Sequence, residues 1–360
     1  MEEDRKKRIE LIKELERIRG AHVITYITST RSGQEVQMAM DCIPRVYEHL
    51  RLIKGLPAET KIDLFLCSNG GDGTVPWRLV TLIREFTNRF SVLVPYQAFS
   101  AATLTALGAD EIVMHPMGML GPTDPTVANQ FTPPDPTNPT QRLGISVEDV
   151  SAYVSLVRDD CGITHEDELV QAFSHLAGQV HPLALGNVKR SIAQSQMMAR
   201  KLLGLHRDAA ADEHLINEIV DNLTSKSYYH GHPINRTEAK DQIRIPTIAD
   251  KAPEVEEAMW QLYLLYAEAL QIDTPFDVTR FLYGDMDAVL QLERTPVHPN
   301  VLATPGVPGA CKKGSSQLAF IESSGRCDVF QSDFEILGFQ LPDGNIALRQ
   351  VVKRLEWNAQ

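Results

Sequence analysis

The sequence predicts an α/β protein built around a mainly parallel β-sheet. Three observations support this class. Short apolar runs alternate with stretches of helical length between residues 22 and 116, which is the pattern of βαβ units. The apolar runs are hydrophobic at nearly every position, as in a sheet that is covered on both faces. With 43% hydrophobic and 23% charged residues, the composition is that of an ordinary globular protein.

The alternation can be followed element by element along the chain. Strands are predicted at 22–29, 61–68, 91–95 and 111–116, with helices between them at 35–54, 75–89 and 100–108. Helical patterns return at 147–158, 165–177, 184–203, 211–221 and 253–271. We therefore expect one main domain over residues 21–250, followed by a helical extension at 251–299.

Residues 1–20 form a predicted amphipathic helix. Ile9, Ile12, Leu15 and Ile18 recur every third residue, and Gly20 follows as a stop signal. The polar face carries both signs of charge, which favours docking on the same domain or pairing with another subunit over contact with a membrane surface.

Two further segments differ in composition from the rest. The stretch around 126–142 is rich in proline, threonine and asparagine, which predicts a long exposed loop that acts as a lid or a tether. Residues 300–360 begin with a linker-like segment and contain Asp343 and Gly344, a pair typical of tight hairpins. We expect them to form a small β-rich appendage of short antiparallel strands.

Charge and cysteine content exclude several classes of protein. A net charge of −12 argues against a general nucleic-acid binder, although it leaves room for a local basic patch. No apolar stretch is long enough to cross a bilayer, and the N-terminus lacks the apolar centre of a secretory signal. The five cysteines are scattered without CxxC spacing, so neither a disulfide framework nor a zinc module is expected. We predict a soluble, cytoplasmic protein.

A glycine pair follows the strand predicted at 61–68. Ser68, Asn69, Gly70 and Gly71 stand directly after it. Two glycines allow the backbone to turn sharply and to approach a ligand without an intervening Cβ atom. The exposed N–H groups ahead of the next helix could hold a negatively charged oxygen. Any tight turn from strand to helix also favours glycine, so this motif alone decides nothing.

Ser100 stands where a short loop leads into the helix predicted at 100–108. Its hydroxyl could simply cap that helix by accepting a hydrogen bond from a backbone N–H. It could also be a nucleophile at a helix N-terminus, where the helix dipole stabilises developing negative charge. The small neighbours Ala98, Ala101 and Ala102 would leave room for an incoming carbonyl group.

Together these motifs resemble the ClpP/crotonase superfamily, and within it the signal peptide peptidase A branch. The resemblance is carried by SNGGDG (68–73), AFSAATLTALGADEIVM (98–114) and GMLGPTDP (118–125), and it is closest to the serine dehydrogenase proteinases. Ser100 stands 29 residues after Gly71, which is the family's spacing. The resemblance implies a spiral of ββα units, with Ser100 as nucleophile and the N–H groups of Gly71 and Ala101 as the oxyanion hole. Ser68, Asn69 and Gly70 would support that loop.

The general base is harder to place. The ClpP branch has a histidine seven residues after a proline, but counting from Pro116 gives Thr123. His115 precedes that proline and is expected to be structural. The signal peptide peptidase branch uses a lysine from a later helix, which must be neutral at the working pH. Lys189, near the predicted start of the helix at 184–203, is the best candidate, with Lys201, Lys226 and Lys240 as rivals.

The remaining polar groups have simpler interpretations. Asp72 is expected to cap the helix that follows it, and Asp110 to end a helix. His230 and His232 lack further ligands at recognisable spacing, so neither a metal nor another cofactor is predicted.

These residues predict a serine peptidase with a Ser-Lys dyad that forms an acyl-enzyme on a protein or peptide substrate. In this superfamily subunits usually assemble into rings or stacks, which implies a homo-oligomer. Three alternatives stay open at this point: a crotonase-like acyl-CoA enzyme, a non-catalytic peptide-binding scaffold, and a protease that a peripheral membrane or regulatory partner controls.

Overall fold

The computed structural model describes residues 2–55, 59–123, 126–127, 129–135, 142–206, 212–224, 231–284, 310–340 and 346–360. It is a mixed α/β structure, which confirms the predicted α/β class, but its central sheet is mixed rather than mainly parallel. The finer expectation of a spiral of ββα units stays a prediction.

In the first part of the chain, helices and strands alternate as expected. In order they are α1 (Glu2–Arg19), β1 (His22–Thr28), α2 (Cys42–Leu50), β2 (Lys61–Cys67), α3 (Val75–Arg84), β3 (Arg89–Val94), β4 (Gln97–Ala98), α4 (Ala101–Leu107), β5 (Glu111–Met114) and β6 (Met119–Leu120).

The second part is mostly helical until it reaches three long strands. Its elements are β7 (Thr126–Val127), β8 (Ile145–Ser146), α5 (Val147–Ser155), a π-helical turn (Leu156–Asp160), α6 (Glu166–Gln179), α7 (Pro182–Leu203), α8 (Glu213–Thr224), β9 (Ile234–Asn235), α9 (Arg236–Asp241), α10 (Pro253–Ala269), α11 (Val278–Tyr283), β10 (Ala310–Ser323), β11 (Arg326–Gln340) and β12 (Ile346–Ala359).

A seven-stranded sheet forms the centre of the molecule, in the order β12-β11-β10-β1-β2-β3-β5. The four strands β1, β2, β3 and β5 run parallel, while β10 joins β1 in antiparallel orientation. A small sheet of β4, β6 and β9 lies beside the carboxyl ends of the parallel strands, because Ser68 after β2 pairs with Ala98 of β4. The loop after β2 and the turn that leads to α4 therefore lie together at this edge of the parallel strands.

Helices cover both faces of the central sheet, as the apolar strand runs predict. Alternate residues of β2 belong to different cores: Ile62 and Leu64 pack with α2, α3, α4, α7 and α8, whereas Phe65 packs with α1 and α10. Ile12 and Leu15 of α1 are fully buried in the second core. The N-terminal helix therefore docks on its own chain.

Residues 35–41 differ from the predicted helix at 35–54. Only Cys42–Leu50 is helical, and the preceding segment is extended. Met38 forms a parallel bridge with Gly71, and the N–H of Val36 donates to the carbonyl of Ser29. Backbone pairing with the glycine loop replaces the hydrogen bonds that a helix would have made here.

The C-terminal strands correct the expectation of a small appendage at 300–360. They are 14, 15 and 14 residues long rather than short, and β10 extends the central sheet through β1. β10, β11 and β12 are thus part of the main sheet. The predicted hairpin at Asp343 and Gly344 lies outside the described residues.

A buried ion pair fixes the C-terminal strands to the N-terminal helix. The Nε of Arg8 donates to Oε2 of Glu322 at 2.7 Å, and the hydroxyl of Tyr266 donates to the same oxygen at 2.8 Å. Although burial opposes the cation, the hydrogen bond and the charge of Glu322 raise the pKa of Arg8. One carboxylate thus connects α1, α10 and β10.

No helix in the described parts of the chain is both long and apolar enough to span a membrane.

We expect Glu322→Leu to lower the free energy of unfolding by about 3–5 kcal/mol, because it leaves the guanidinium of Arg8 buried without its charge partner. Urea unfolding followed by circular dichroism measures this loss. Glu356→Leu is the matched control, since it removes the partner of the half-exposed Arg354 and should have little effect. Equal losses from the two variants would contradict the proposed connection.

Candidate active site

The loop after β2 is fixed by hydrogen bonds on both sides. The buried Ser68 hydroxyl accepts one from Thr28 Oγ1 at 2.7 Å and one from the N–H of Gly70 at 3.0 Å. The N–H of Ser68 donates to the carbonyl of Gln97, and its carbonyl accepts from the N–H of Phe99. The loop and the segment that leads to Ser100 are therefore one rigid unit.

Gly70 and Gly71 lie where no side chain would fit. A Cβ atom at Gly70 would stand 2.5 Å from the Phe99 carbonyl oxygen and 2.9 Å from the Ser100 Cβ, and one at Gly71 would stand 2.6 Å from the Met38 nitrogen. Their φ angles of 91° and 154° also disfavour other residues. The structure thus brings the two sequence motifs into direct contact.

Ser100 occupies a strained backbone conformation between β4 and α4. Its φ of 51° and ψ of −113° lie in a region that residues with a side chain rarely adopt. Such a conformation costs about 1–3 kcal/mol and is concentrated at functional sites. The hydroxyl caps nothing in α4, so the helix-capping interpretation of Ser100 is wrong.

Two main-chain donors lie beside this turn. The carbonyl of Met38 accepts from the N–H of Asp72, and the N–H of Met38 donates to the carbonyl of Gly70. Gly71 lies between these two partners, so its own N–H points away from Met38. Ala101 is the first residue of α4, so the helix offers its N–H no acceptor. Among the described residues neither N–H has a hydrogen-bond partner.

Ser100 and Gly71 open onto a cleft of about 550 Å³. One wall is the segment from Gln37 to Ala39, and the opposite wall is α7. The cleft is lined by Gln37, Met38, Ala39, Asn69, Gly71, Asp72, Gly73, Ser100, Leu104, Thr123, Ser191, Gln194 and Ser195. Its size suits a few residues of a peptide.

Thr123 is a member of this cleft that sequence reasoning did not select. It is 2% exposed, and its Oγ1 is buried without a partner among the described residues. Its backbone is held on both sides, because its N–H donates to the Leu223 carbonyl and its carbonyl accepts from the Ser195 hydroxyl. The sequence could have indicated Thr123 as a site residue, because it stands seven residues after Pro116, where the ClpP branch has its catalytic histidine.

Lys189 does not line the cleft and is exposed to solvent. Ser191, Gln194 and Ser195 form the cleft-facing side of α7, and Lys189 precedes Ser191 by two residues, a rotation of about 200° around the helix. The helix also begins at Pro182, with the His181 side chain accepting from the Leu183 N–H. Lys189 is therefore beyond the first turn, contrary to expectation.

The rival bases lie elsewhere too. The ammonium group of Lys201 sits over the Trp77 ring, and that of Lys240 is paired with Asp250 at 2.5 Å. Lys226 lies outside the described residues. His115 stacks on Trp260 with ring centroids 4.9 Å apart, and its Nδ1 accepts from the Met117 N–H, which supports its structural interpretation.

Asp72 is the one titratable residue among the described residues that line the cleft. Its Oδ1 accepts from both the N–H and the hydroxyl of Thr74 just before α3. Asp72 therefore orders the turn that leads into α3, and Thr74 rather than Asp72 occupies the capping position. His232 bonds to Glu238, and His230 lies outside the described residues. Within the described ranges no group of three or more His, Cys, Asp or Glu residues could hold a metal ion.

Comparison with known proteins agrees with this geometry. Residues 1–137 match a family model described as a ClpP-like SDH-type serine proteinase. The chain is also similar to two uncharacterised proteins of Methanocaldococcus jannaschii. It is 27% identical to MJ1495 over 239 residues, which are 65% of this chain and 70% of that protein. It is 30% identical to MJ0137 over 146 residues, which are 39% of this chain and 50% of that protein.

We expect Gly70→Ala to lower the free energy of unfolding by at least about 2 kcal/mol, because its methyl group would press against Phe99 and Ser100 in a strained conformation. Urea unfolding measures this effect. Gly73→Ala is the control in the same loop, since nothing lies within 4 Å of a Cβ at Gly73. A similar cost at both positions would argue against the close approach of the two motifs.

Proposed function

We propose, because residues 1–137 match the model of the ClpP-like SDH-type serine proteinases, that the protein is a serine peptidase whose nucleophile is Ser100. One observation carries this proposal. The strained turn at Ser100 packs against Gly70 and opens onto the cleft beside Gly71. A serine exposed on a sharp turn between a strand and a helix, next to free main-chain donors, is the arrangement that acyl transfer requires.

The reaction follows from the positions of these groups. A peptide in the cleft presents its carbonyl carbon to the Ser100 Oγ, which attacks while its proton passes to a base. The carbonyl oxygen becomes negatively charged and accepts hydrogen bonds from the N–H groups of Gly71 and Ala101. The C–N bond then breaks, and the amine leaves with the proton. Water attacks the acyl-serine ester and releases the second product.

The identity of the base is a separate proposal. The predicted Ser-Lys dyad assigns this role to Lys189, and a neutral lysine is chemically suited to it. The position of Lys189 on the far side of α7 from Ser191 does not favour this assignment within one chain. For Lys189 to serve, its ammonium group would have to reach the cleft from another copy of the chain or after a rotation of α7.

Substrate and assembly follow from the family. We propose a protein or peptide substrate and a homo-oligomer in the cytoplasm. We propose no cofactor, because the chemistry needs only a hydroxyl, a base and main-chain donors.

Two alternatives predict different chemistry at Ser100. A crotonase-like enzyme would use the oxyanion hole on an acyl-CoA thioester without a covalent serine. A peptide-binding scaffold would use the cleft without turnover. Since the Ser100 hydroxyl is not needed to cap α4, both alternatives leave its strained conformation unexplained.

We expect a fluorophosphonate probe to modify Ser100 in the wild-type protein and not in Ser100→Ala. Mass spectrometry of the labelled peptide identifies the site, and circular dichroism checks that both proteins are folded. Ser174→Ala is the control, because Ser174 is exposed on α6 and its hydroxyl donates to the Val170 carbonyl one turn earlier in the same helix. Wild-type protein that is folded but unlabelled would favour the scaffold or the acyl-CoA enzyme.

We expect Lys189→Met to keep labelling of Ser100 within about threefold of the wild-type rate between pH 6 and 10. Lys189 is exposed and does not line the cleft, and a general base must lie within hydrogen-bond reach of the proton that it takes. Lys226→Met and Lys201→Met are measured in parallel. A loss at Lys189→Met as complete as that of Ser100→Ala would establish the dyad with Lys189. A loss confined to Lys226→Met would assign the base to that residue.

A further inference from the structure

A second cavity lies between the C-terminal strands and the helices α10 and α11. Its volume is about 520 Å³, and it shares no lining residue with the cleft of Ser100. We call it the arginine pocket, defined by Arg31, Phe276, Phe281, Ser316, Gln331 and Phe334, which are part of its lining. Cavities of this volume commonly bind small molecules.

Arg31 is a buried cation in this pocket. It is only 8% exposed. Its Nε donates to the Thr274 carbonyl at 2.7 Å, and one terminal nitrogen donates to Gln34 Oε1 at 3.0 Å. Its guanidinium group lies 5.5 Å from the centre of the Phe276 ring. A guanidinium has five N–H donors, and three of those of Arg31 have no hydrogen-bond partner among the residues that the structure describes.

Arg31 has no carboxylate partner among the described residues, which sets it apart from Arg8 and Arg19. Arg8 is paired with Glu322, and Arg19 with Asp63 and Glu111. Burial lowers the pKa of Arg31, whereas the carboxylates at Arg8 and Arg19 outweigh burial and raise theirs. A buried cation without a counter-charge is unfavourable unless an anion joins it.

A second donor stands beside the arginine. Gln34 accepts from Arg31 through its amide oxygen, so its Nε2 is the atom that donates to the Ser316 hydroxyl, at 2.8 Å. The Ser316 oxygen therefore accepts from Gln34, and its own hydrogen has no acceptor within the described part of the chain, so it can bond a ligand. A cation and a hydroxyl donor at one end of a pocket suit an anionic acceptor.

Aromatic rings form the other side of the arginine pocket. Phe276, Phe281 and Phe334 are in mutual contact, with ring centroids 5.9, 5.3 and 5.5 Å apart. Phe334 is almost fully buried. This wall offers apolar surface to a ligand. The ammonium group of Lys312 lies 4.6 Å from the centre of the Phe281 ring and donates to the Phe281 carbonyl, so a second cation stands beside it.

We propose that the arginine pocket binds a small carboxylate with an apolar or aromatic tail. The carboxylate pairs with the guanidinium of Arg31 and accepts from Ser316, and the tail packs against Phe276, Phe281 and Phe334. The carboxylate could belong to a free organic acid or to the last residue of a peptide, since both present the same group.

Isothermal titration calorimetry of the full chain with 3-phenylpropionate tests this site directly, without any reading of peptidase activity. We expect 3-phenylpropionate to bind, and 3-phenylpropionamide to bind at least about tenfold more weakly, because the amide lacks the charge that strengthens a hydrogen bond to a guanidinium. We expect Arg31→Met to weaken binding of the acid at least about tenfold. Arg280→Met is the control, because Arg280 is exposed on the neighbouring α11.

A second variant and a second ligand are measured in the same way. Ser316→Ala removes one donor without touching Arg31 and should weaken binding about threefold or more. N-acetyl-L-phenylalanine represents a peptide terminus: tighter binding than the free acid assigns the pocket to peptide ends, and weaker binding assigns it to free acids. No binding of either acid, equal binding of the amide, equal binding of sulfate, or unchanged binding by folded Arg31→Met would each overturn the proposal.

Discussion

The close approach of two backbone turns is the constraint on which the candidate active site depends. Gly70 lies against Phe99 and Ser100 with no room for a Cβ atom, and the hydrogen bonds of Ser68 and Met38 hold the loop in that position. Because the parallel strands end at the same edge of the sheet, the loop after β2 and the turn before α4 meet there. The site is therefore a product of backbone packing, and its donors are main-chain groups that need no side-chain ordering.

The sequence indicated that the glycine pair and Ser100 belong together, and the structure places them in contact. Neither motif decides this alone; their order and their spacing of 29 residues, shared with the ClpP/crotonase superfamily, linked them. The order of the parallel strands then brings the two turns to the same edge of the sheet. The orientation of Lys189 depends on which face of α7 packs against the rest of the chain, a face that includes the buried Val188, Ser195 and Ala199. The spacing within a helix gives the angle between its side chains but not which of them face a cleft built from other elements. The start at Pro182 decides only that Lys189 lies beyond the first turn.

Contacts between distant parts of the chain account for the other differences. The extended segment around Met38 reads as helical on its own, and only its pairing with Gly71 makes it extended. Likewise, nothing within residues 310–360 indicates that β10 would pair with β1. The arginine pocket has the same origin, because Arg31, Phe276 and Ser316 come from three separate parts of the sequence. Their shared environment could not be predicted from spacing.

The pairing of β1 with β10 has a consequence for how the protein forms. The N–H of Glu322 donates to Thr25 Oγ1, a contact that joins residues 297 positions apart. During synthesis the first strand leaves the ribosome long before its neighbour on that side exists, so its outer edge stays unpaired for most of translation. Exposed strand edges promote association with other chains. Nascent chains that stop before residue 310 should accordingly depend on chaperones, and completion of the final three strands is the step that closes this edge.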